Sequence, residues 1–270
     1  ELEKNDNLKH LSLAMNELAE VDKFAFEQTK NLVFLDLSYN RLTSLPDTLF
    51  DSLDELQYLN LSYNRIEYLS KNIFKNCISL FELDLGHNPM KQINGDVFFY
   101  LQRLEVLDLS HNEIYSLDST IFHTMSKLDT LDLSHNEFDA VPINALRAAR
   151  NLISLDLSDN PIRTINEASF YKLHSLKQLT MNHMHRLVDI EKKAFSSLFN
   201  LQKLSLVDNA HLTYIDPYAF KGAFNRSWIA IREINLRRNS LSTIREDTFP
   251  FCMYTGEATL SCFSYLSNLS

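Results

Sequence analysis

Leucine recurs in this chain with a period of 24 residues, and this spacing constrains the fold more than any other feature. The residues at position one of successive periods are Leu8, Leu32, Leu56, Leu80, Leu104, Leu128, Leu152, Leu176, Leu201 and Ile231. Apolar residues follow at positions four and six, so a short strand would point its leucines inward and its other side chains outward. A unit of this length buries its apolar face only against its neighbours, which predicts a stack of coils whose strands pair in parallel.

Two further columns share the period. An asparagine amide at position nine offers donors and an acceptor to the loop backbone that follows each strand. This column comprises Asn16, Asn40, Asn64, Asn88, Asn112, Asn136, Asn160, Asn209 and Asn239. A phenylalanine near position nineteen would fill the far side of each coil. This second column comprises Phe26, Phe50, Phe74, Phe98, Phe122, Phe170, Phe195, Phe220 and Phe249. Coil six has Leu146 in place of the ring, and its residues 144–150 are predicted to form a helical turn.

These three columns resemble the 24-residue class of leucine-rich repeats in animal extracellular proteins, including the ectodomains of Toll-type receptors, Slit and neuronal adhesion receptors. The resemblance covers essentially the whole chain. It implies an α/β-type repeat solenoid, a leucine-rich repeat horseshoe with a parallel concave β-sheet and a mostly irregular convex side. We expect one domain over residues 1–270, with about ten complete repeats from Leu8. Residues 250–270 would form an eleventh strand or a C-terminal cap, and the chain would be a piece of a longer ectodomain.

Composition narrows the range of partners. The net charge of −9 disfavours nucleic acid and anionic membranes, because both require a positive field on the protein. The chain contains no apolar run that approaches the roughly 18 residues of a membrane span. We therefore expect a protein ligand or receptor as partner, and any membrane attachment would come from an anchor outside this segment.

Three N-x-S/T sequons, at Asn60, Asn225 and Asn268, favour an extracellular location, either secreted or as a cell-surface ectodomain. Asn60 stands where most strands carry aspartate, so a single change creates its sequon, and whether it is used stays open. Asn225 lies in the insertion that lengthens coil nine, and an inserted surface loop suits a glycan.

The three cysteines lie at different kinds of position. Cys77 occupies a leucine position and is predicted to be a buried free thiol. Cys252 and Cys262 have two interpretations. In an eleventh coil they would face opposite sides and could not bridge, whereas in a C-terminal cap they would form a disulfide, as the caps of the resembled family do.

Histidine and aspartate also recur, at positions eight and five. The histidines are His87, His111, His135 and His183, and the aspartates are Asp36, Asp84, Asp108, Asp132 and Asp156. A repeated column makes a stripe, whereas catalysis requires unlike groups that converge in a recess, and the two columns of one coil lie roughly 10 Å apart. We therefore expect no enzyme, cofactor or metal site. The family consensus accounts for the aspartate stripe, with a low-affinity cation or a basic partner as the alternative.

Function would then be binding at the surface, most simply in the ectodomain of a cell-surface receptor or adhesion protein. The alternative is an innate-immune recognition protein of Toll-like or secreted type. Two departures from the consensus are predicted as partner sites. One is an aromatic cluster of Phe34, Tyr39, Tyr58, Tyr63 and Phe81, which a glycan at Asn60 would cover. The other is a basic patch of Arg232, Arg237 and Arg238, which would suit an acidic or sulfated glycan.

Overall fold

The computed structural model describes residues 7–222, 229, 231–245, 248 and 249. Contacts divide the chain into two compact units, unit 1 spanning Glu1–Asp132 and unit 2 spanning Leu133–Ser270. Each unit is a stack of coils in which a short strand recurs at the same positions. Stacked coils with a parallel sheet confirm the predicted repeat solenoid. The expectation that the chain forms one domain stays a prediction.

Unit 1 contains six strands that pair in parallel with their chain neighbours. They are β1 (His10–Ser12), β2 (Phe34–Asp36), β3 (Tyr58–Asn60), β4 (Glu82–Asp84), β5 (Val106–Asp108) and β6 (Thr130–Asp132). The register follows the repeat, since Leu35 aligns with Leu59 and Leu59 with Leu83. These central leucines are buried while the residues on either side of them are more exposed. The strand face of unit 1 therefore carries every side chain at positions three and five.

Unit 2 has coils of 24 to 30 residues and an additional sheet. It contains helix α1 (Ile143–Leu146) and the strands β7 (Ser154–Asp156), β8 (Thr164–Ile165), β9 (Gln178–Thr180), β10 (Asp189–Ile190), β11 (Lys203–Ser205), β12 (Tyr214–Ile215) and β13 (Glu233–Asn235). Strands β7, β9, β11 and β13 pair in that order. Strands β8, β10 and β12 form a second parallel sheet, which the sequence analysis did not predict. Helix α1 confirms the helical turn predicted for coil six.

The phenylalanine column fills the far side of the coils in both units. Phe50 and Phe74 stack with ring centroids 6.2 Å apart, and Phe195 and Phe220 stack at 5.1 Å. These rings are fully buried. Cys77 is buried beside this column with a free thiol, as predicted, and burial raises its pKa to about 12. The thiol is therefore a neutral, apolar part of the core.

The asparagine column forms a ladder that joins successive coils. The Asn64 amide donates to the carbonyl oxygens of Leu37, Leu61 and Ser62, and its own oxygen accepts the N–H of Leu42 at 3.0 Å. Asn160 repeats this arrangement in unit 2. Both side chains are buried, so the ladder satisfies polar backbone groups that the short strands leave unpaired.

Several predicted features lie outside the described residues. They are the sequons at Asn225 and Asn268, the pair Cys252 and Cys262, and the strand or cap at 250–270. No helix in the described part of the chain is long and apolar enough to cross a membrane.

Candidate binding surface

Position eight, where the chain leaves each strand, has an unusual backbone conformation. Ten of the twelve described non-glycine residues with positive φ occupy it, at φ values of 50° to 59°. They are Met15, Tyr39, Tyr63, His87, His111, His135, Asp159, His183, Asp208 and Arg238. This left-handed region costs a residue with a side chain roughly 1–2 kcal/mol, so the surrounding structure must impose it.

Hydrogen bonds on both sides of position eight impose that conformation. The N–H of Tyr39 donates to the carbonyl of Ser62 in the next coil, and the N–H of Tyr63 donates to that of Gly86. The asparagine at position nine donates a hydrogen bond to the carbonyl at position seven, as Asn64 does to Ser62. The turn is thus fixed by backbone and asparagine, and the side chain at position eight is free to vary.

In unit 1 these side chains form a continuous stack, which we call the ring ladder: Tyr39, Tyr63, His87 and His111. The centroid distances are 4.0 Å for Tyr39 and Tyr63, 3.8 Å for Tyr63 and His87, and 3.9 Å for His87 and His111. The planes of neighbouring rings deviate from parallel by 15° or less. A hydrogen bond with the Tyr39 side chain is the first cause that raises the pKa of Tyr63. The inner faces are covered by neighbouring rings, so the ladder presents its edges to a partner.

The four residues of the ring ladder line an open groove of about 740 Å³. Asparagines of the ladder and the residues Arg41, Arg65, Pro89 and Glu113 also line this groove. Arg41 pairs with Glu17 at 2.8 Å and Lys91 pairs with Glu113 at 3.5 Å. The groove crosses several coils and offers hydroxyl, imidazole and guanidinium groups.

A second aromatic column lies at the other end of the strands. Phe34 and Tyr58 have ring centroids 6.5 Å apart, and Tyr58 and Phe81 are 5.8 Å apart. These rings are tilted rather than stacked. Tyr58 precedes Tyr63 by five residues, roughly 15 Å along an extended chain. The five aromatic residues predicted as one cluster therefore lie in two columns, one on each side of the strand face.

Asn60 lies between these two columns. Its side-chain oxygen accepts hydrogen bonds from the backbone N–H of Ser62 at 2.9 Å and from the Ser62 hydroxyl at 2.7 Å. The residue is half-buried on β3. Glycosylation at Asn60 stays a prediction.

Asp84 occupies the same position on β4, and its environment is more acidic. Burial raises the pKa of this carboxyl to about 6, while the N–H of Gly86 opposes the shift and Asp108 and Glu82 add to it. Gly86 replaces the serine found at position seven of neighbouring coils. A β-carbon at Gly86 would lie 3.1–3.2 Å from the Ser110 hydroxyl, Asp108 Oδ1 and Asp84 Oδ1. This separation is tighter than most β-carbon contacts, so a side chain at position 86 would require these three groups to shift.

In unit 2, position eight carries two histidines, two aspartates and an arginine. Asp159 lies between two histidines, at 3.2 Å from His135 Nε2 and 3.7 Å from His185 Nε2. Further along, Arg238 approaches Asp208 at 3.4 Å. Spacing within one coil separates histidine and aspartate by roughly 10 Å and so does not predict these contacts between coils. Among the described residues, no group of three His, Cys, Asp or Glu side chains is arranged to hold a metal ion.

The three arginines of the predicted basic patch flank strand β13. Arg232 lies before β13, whereas Arg237 and Arg238 follow it, and all three are exposed. Because Arg238 approaches Asp208, its charge is partly balanced. Its role as a partner site stays a prediction.

The repeat pattern identifies the family. A family model described as Leucine rich repeat matches residues 6–66, 30–90, 56–114, 79–138, 102–152 and 126–185. These matches extend without a gap over more than half of the chain. The chain belongs to the leucine-rich repeat family. A comparison with curated proteins gave no match.

Solved structures narrow the fold to the type seen in Toll. The glycosylated Toll–Spatzle complex of Drosophila matches with a TM-score of 0.68 and 22% identity, covering 87% of this chain and 35% of that chain. A second structure of this complex gives 0.69 and 21%, covering 96% and 36%. The TLR13–ssRNA13 complex gives 0.64 and 26%, covering 90% and 42%. The chain therefore spans less than half the length of these structures.

These matches establish a leucine-rich repeat fold, which resembles Toll-type binding proteins. The neighbours include one complex with a protein and one with RNA. The fold alone therefore does not exclude a nucleic acid partner, whereas the net charge of −9 disfavours one.

Proposed function

We propose that this chain is a non-catalytic, extracellular protein-binding module, part of the ectodomain of a cell-surface receptor or adhesion protein. The ring ladder of unit 1 is the observation that supports this proposal most directly. Aromatic residues are enriched in protein–protein hot spots, and here Tyr39 and Tyr63 line a groove.

The ladder suits binding because it is rigid before a partner arrives. Each inner ring contacts a ring on both faces, and the turns beneath are held by the asparagine ladder. Fewer side-chain rotations are lost on binding, so a larger share of the contact energy appears as affinity. Tyr39 and Tyr63 remain exposed and combine apolar area with a hydroxyl group.

A protein partner is favoured over nucleic acid. Spatzle is the partner in two of the matched structures, whereas RNA is the partner in the third. Phosphate recognition requires several cations in one place, but the groove wall contains only Arg41 and Arg65, and Arg41 pairs with Glu17.

The second candidate is recognition in innate immunity. The Toll–Spatzle complex is described as a hub in both development and innate immunity, so one fold of this type serves both roles in that protein. The two candidates share the ring ladder and differ in the source of the ligand. A ligand made by the host favours the receptor role, and a microbial ligand favours the second.

An array of secreted and ectodomain proteins would test the proposal. The chain, secreted from animal cells as a dimeric fusion, should bind a protein reproducibly. Replacing Tyr63 and His87 together by alanine should weaken that binding by more than about 2 kcal/mol, the range of a hot spot. Tyr68→Ala is the matched control, because Tyr68 is in the same coil, is 64% exposed and does not line the groove.

Two outcomes would contradict the proposal. One is affinity that falls equally in the control, and the other is binding to single-stranded RNA with no protein hit. Glycopeptide mass spectrometry of the secreted chain tests the extracellular location separately, since an occupied sequon requires passage through the secretory pathway. If Asn60 carries the glycan, the contact should move away from Tyr58 and Tyr63.

A further inference from the structure

The side chains at position ten of the coils form a charged column, two residues after the ring ladder in each repeat. In coils one to five this column comprises Glu17, Arg41, Arg65, Pro89 and Glu113. The backbone N–H of Arg41 donates to the carbonyl of Leu18 in the preceding coil, and the N–H of Arg65 donates to that of Leu42. Successive members of the column therefore lie on neighbouring coils, roughly 4.8 Å apart at the backbone.

Ion pairs balance the charges at the two ends of this column. Arg41 pairs with Glu17 at 2.8 Å, and Glu113 pairs with a lysine at 3.5 Å. Arg65 differs, because its neighbours on the column are Arg41, which is already paired, and Pro89, which carries no charge. Among the described residues, no side chain forms an ion pair or a hydrogen bond with the Arg65 guanidinium.

This unpaired guanidinium belongs to the groove. Arg65 is exposed and lines the groove together with Tyr63 and His87, whose rings stack at 3.8 Å. A guanidinium presents five N–H donors in a planar fork, which matches the two oxygens of a carboxylate. The groove therefore combines an available carboxylate-binding group with aromatic rings that are fixed in place.

We propose that the groove binds an extended segment of the protein partner, which places the carboxylate of an aspartate or glutamate on Arg65. The inference rests on the proposed function and names the chemistry of the partner's contact segment. Arginine binds a carboxylate through two parallel, charge-assisted hydrogen bonds, which fix position as well as adding affinity. Pro89 and the rings of Tyr63 and His87 would contact the flanking residues of the segment, which we expect to be apolar or aromatic.

The charges around the groove favour a single acidic residue over an acidic run. The strand face of the adjacent coils carries Asp84 and Asp108. Glu113 lines the groove itself, two coils beyond Arg65. A run of carboxylates would be repelled by these groups, and such like-charge contacts exclude wrong partners. The segment should therefore be acidic at Arg65 and uncharged or basic near Glu113.

Peptide selection on the intact chain provides the test. A phage library of random dodecapeptides is selected on the immobilised chain and counter-selected on the Arg65→Glu variant. The enriched peptides should each carry one aspartate or glutamate with apolar neighbours. Their affinity should fall about tenfold on Arg65→Gln, which removes a hydrogen-bonded charge pair, and further on Arg65→Glu. Replacing the acidic residue of the peptide by lysine should restore binding to Arg65→Glu, because the two charges are then opposite again.

Arg103→Glu is the matched control. It makes the same charge change at an exposed arginine of the neighbouring coil that does not line the groove, so affinity should change less than about twofold. Thermal melting checks folding. Both Arg65 variants should melt within about 2 °C of the wild type, since the side chain is exposed and forms no ion pair with the described part of the chain.

Four results would overturn the acidic contact. They are enriched peptides without an acidic residue, an equal loss of affinity on Arg103→Glu, a lysine-substituted peptide that binds Arg65→Glu no better than the original, and a selection that yields no peptide sensitive to Arg65. If the Tyr63 and His87 variant loses partner binding while Arg65→Gln retains it, the proposed function stands and only the contact with Arg65 is removed.

Discussion

Position eight has the same backbone conformation in units 1 and 2, but its side chains differ between the two units. At position eight, unit 1 stacks tyrosine and histidine rings, whereas unit 2 places Asp159 between two histidines and Asp208 beside an arginine. The φ angle is the same in both units, between 50° and 59°. The fold therefore does not require the ring ladder. A scaffold that tolerates both arrangements leaves this position available for recognition.

The units differ in regularity as well. Unit 1 repeats every 24 residues, but in unit 2 the spacing grows from 24 between Leu152 and Leu176 to 30 between Leu201 and Ile231. In the additional sheet, β8 lies in a coil of 24 residues, whereas β10 and β12 lie in coils of 25 and 30 residues. A groove between side chains of successive coils depends on regular stacking, which favours unit 1 as the recognition surface.

The largest expected effect tests whether the two cores are equivalent. Phe98→Ala in unit 1 and Phe195→Ala in unit 2 should each lower the free energy of unfolding by about 3–5 kcal/mol, because each leaves a cavity in a buried ring column. Denaturant unfolding measures both. The control is Phe99→Ala, since this neighbouring ring is 50% exposed and its loss should cost less than about 1 kcal/mol. A small loss at Phe195 alone would show that the core of unit 2 is looser.

The asparagine ladder should be equally important in both units. Asn64→Ala and Asn160→Ala should each cost about 2–3 kcal/mol, because each leaves a buried N–H and several carbonyls without partners. The matched control is Asn16→Ala. Asn16 is exposed and, among the described residues, donates only within its own coil, so its loss should cost under about 1 kcal/mol. Equal costs at all three positions would contradict the ladder as the joint between coils.

Asp84→Asn should stabilise the protein at pH 7 by on the order of 1 kcal/mol, allowing for partial exposure of the group. Because its folded pKa is raised from 3.8 to about 6, the wild type loses stability as pH rises through this interval. The advantage of the variant should disappear below about pH 4. Melting temperatures across this range provide the measurement. Asp36→Asn, made in a host that does not glycosylate, is the control, because β1 and β3 place Ser12 and Asn60 opposite Asp36.

The smallest effects distinguish the two kinds of column at position eight. Tyr63→Ala should cost about 1 kcal/mol through two lost ring contacts, and 1 M salt should leave that cost unchanged. Arg238→Ala should cost about 0.5 kcal/mol or less, and high salt should abolish the difference. Unfolding at two salt concentrations provides the measurement. If the Tyr63 cost falls with salt, the ladder is held by charge rather than by stacking.

The sequence was sufficient to predict the repeat scaffold, because each scaffold residue has a structural role that is the same in every coil. Leucine, asparagine and phenylalanine recur at fixed spacing, as Leu35, Asn64 and Phe98 illustrate. The structure of one coil therefore predicts the structure of the next. Recognition features depend on contacts between coils. The pairing of His135 with Asp159 and the division of the aromatic residues into two columns follow from stacking geometry rather than from spacing within a coil.

The asparagine ladder gives the stack a direction. The N–H of Leu18 is satisfied by Asn40 of the following coil, and the N–H of Leu42 by Asn64 of the coil after that. A coil is thus incomplete until its successor has been made. During synthesis, which proceeds from the N-terminus, each coil would wait about one repeat for its last hydrogen bonds. The coils would therefore become fully hydrogen-bonded one after another, each when the following coil has folded against it.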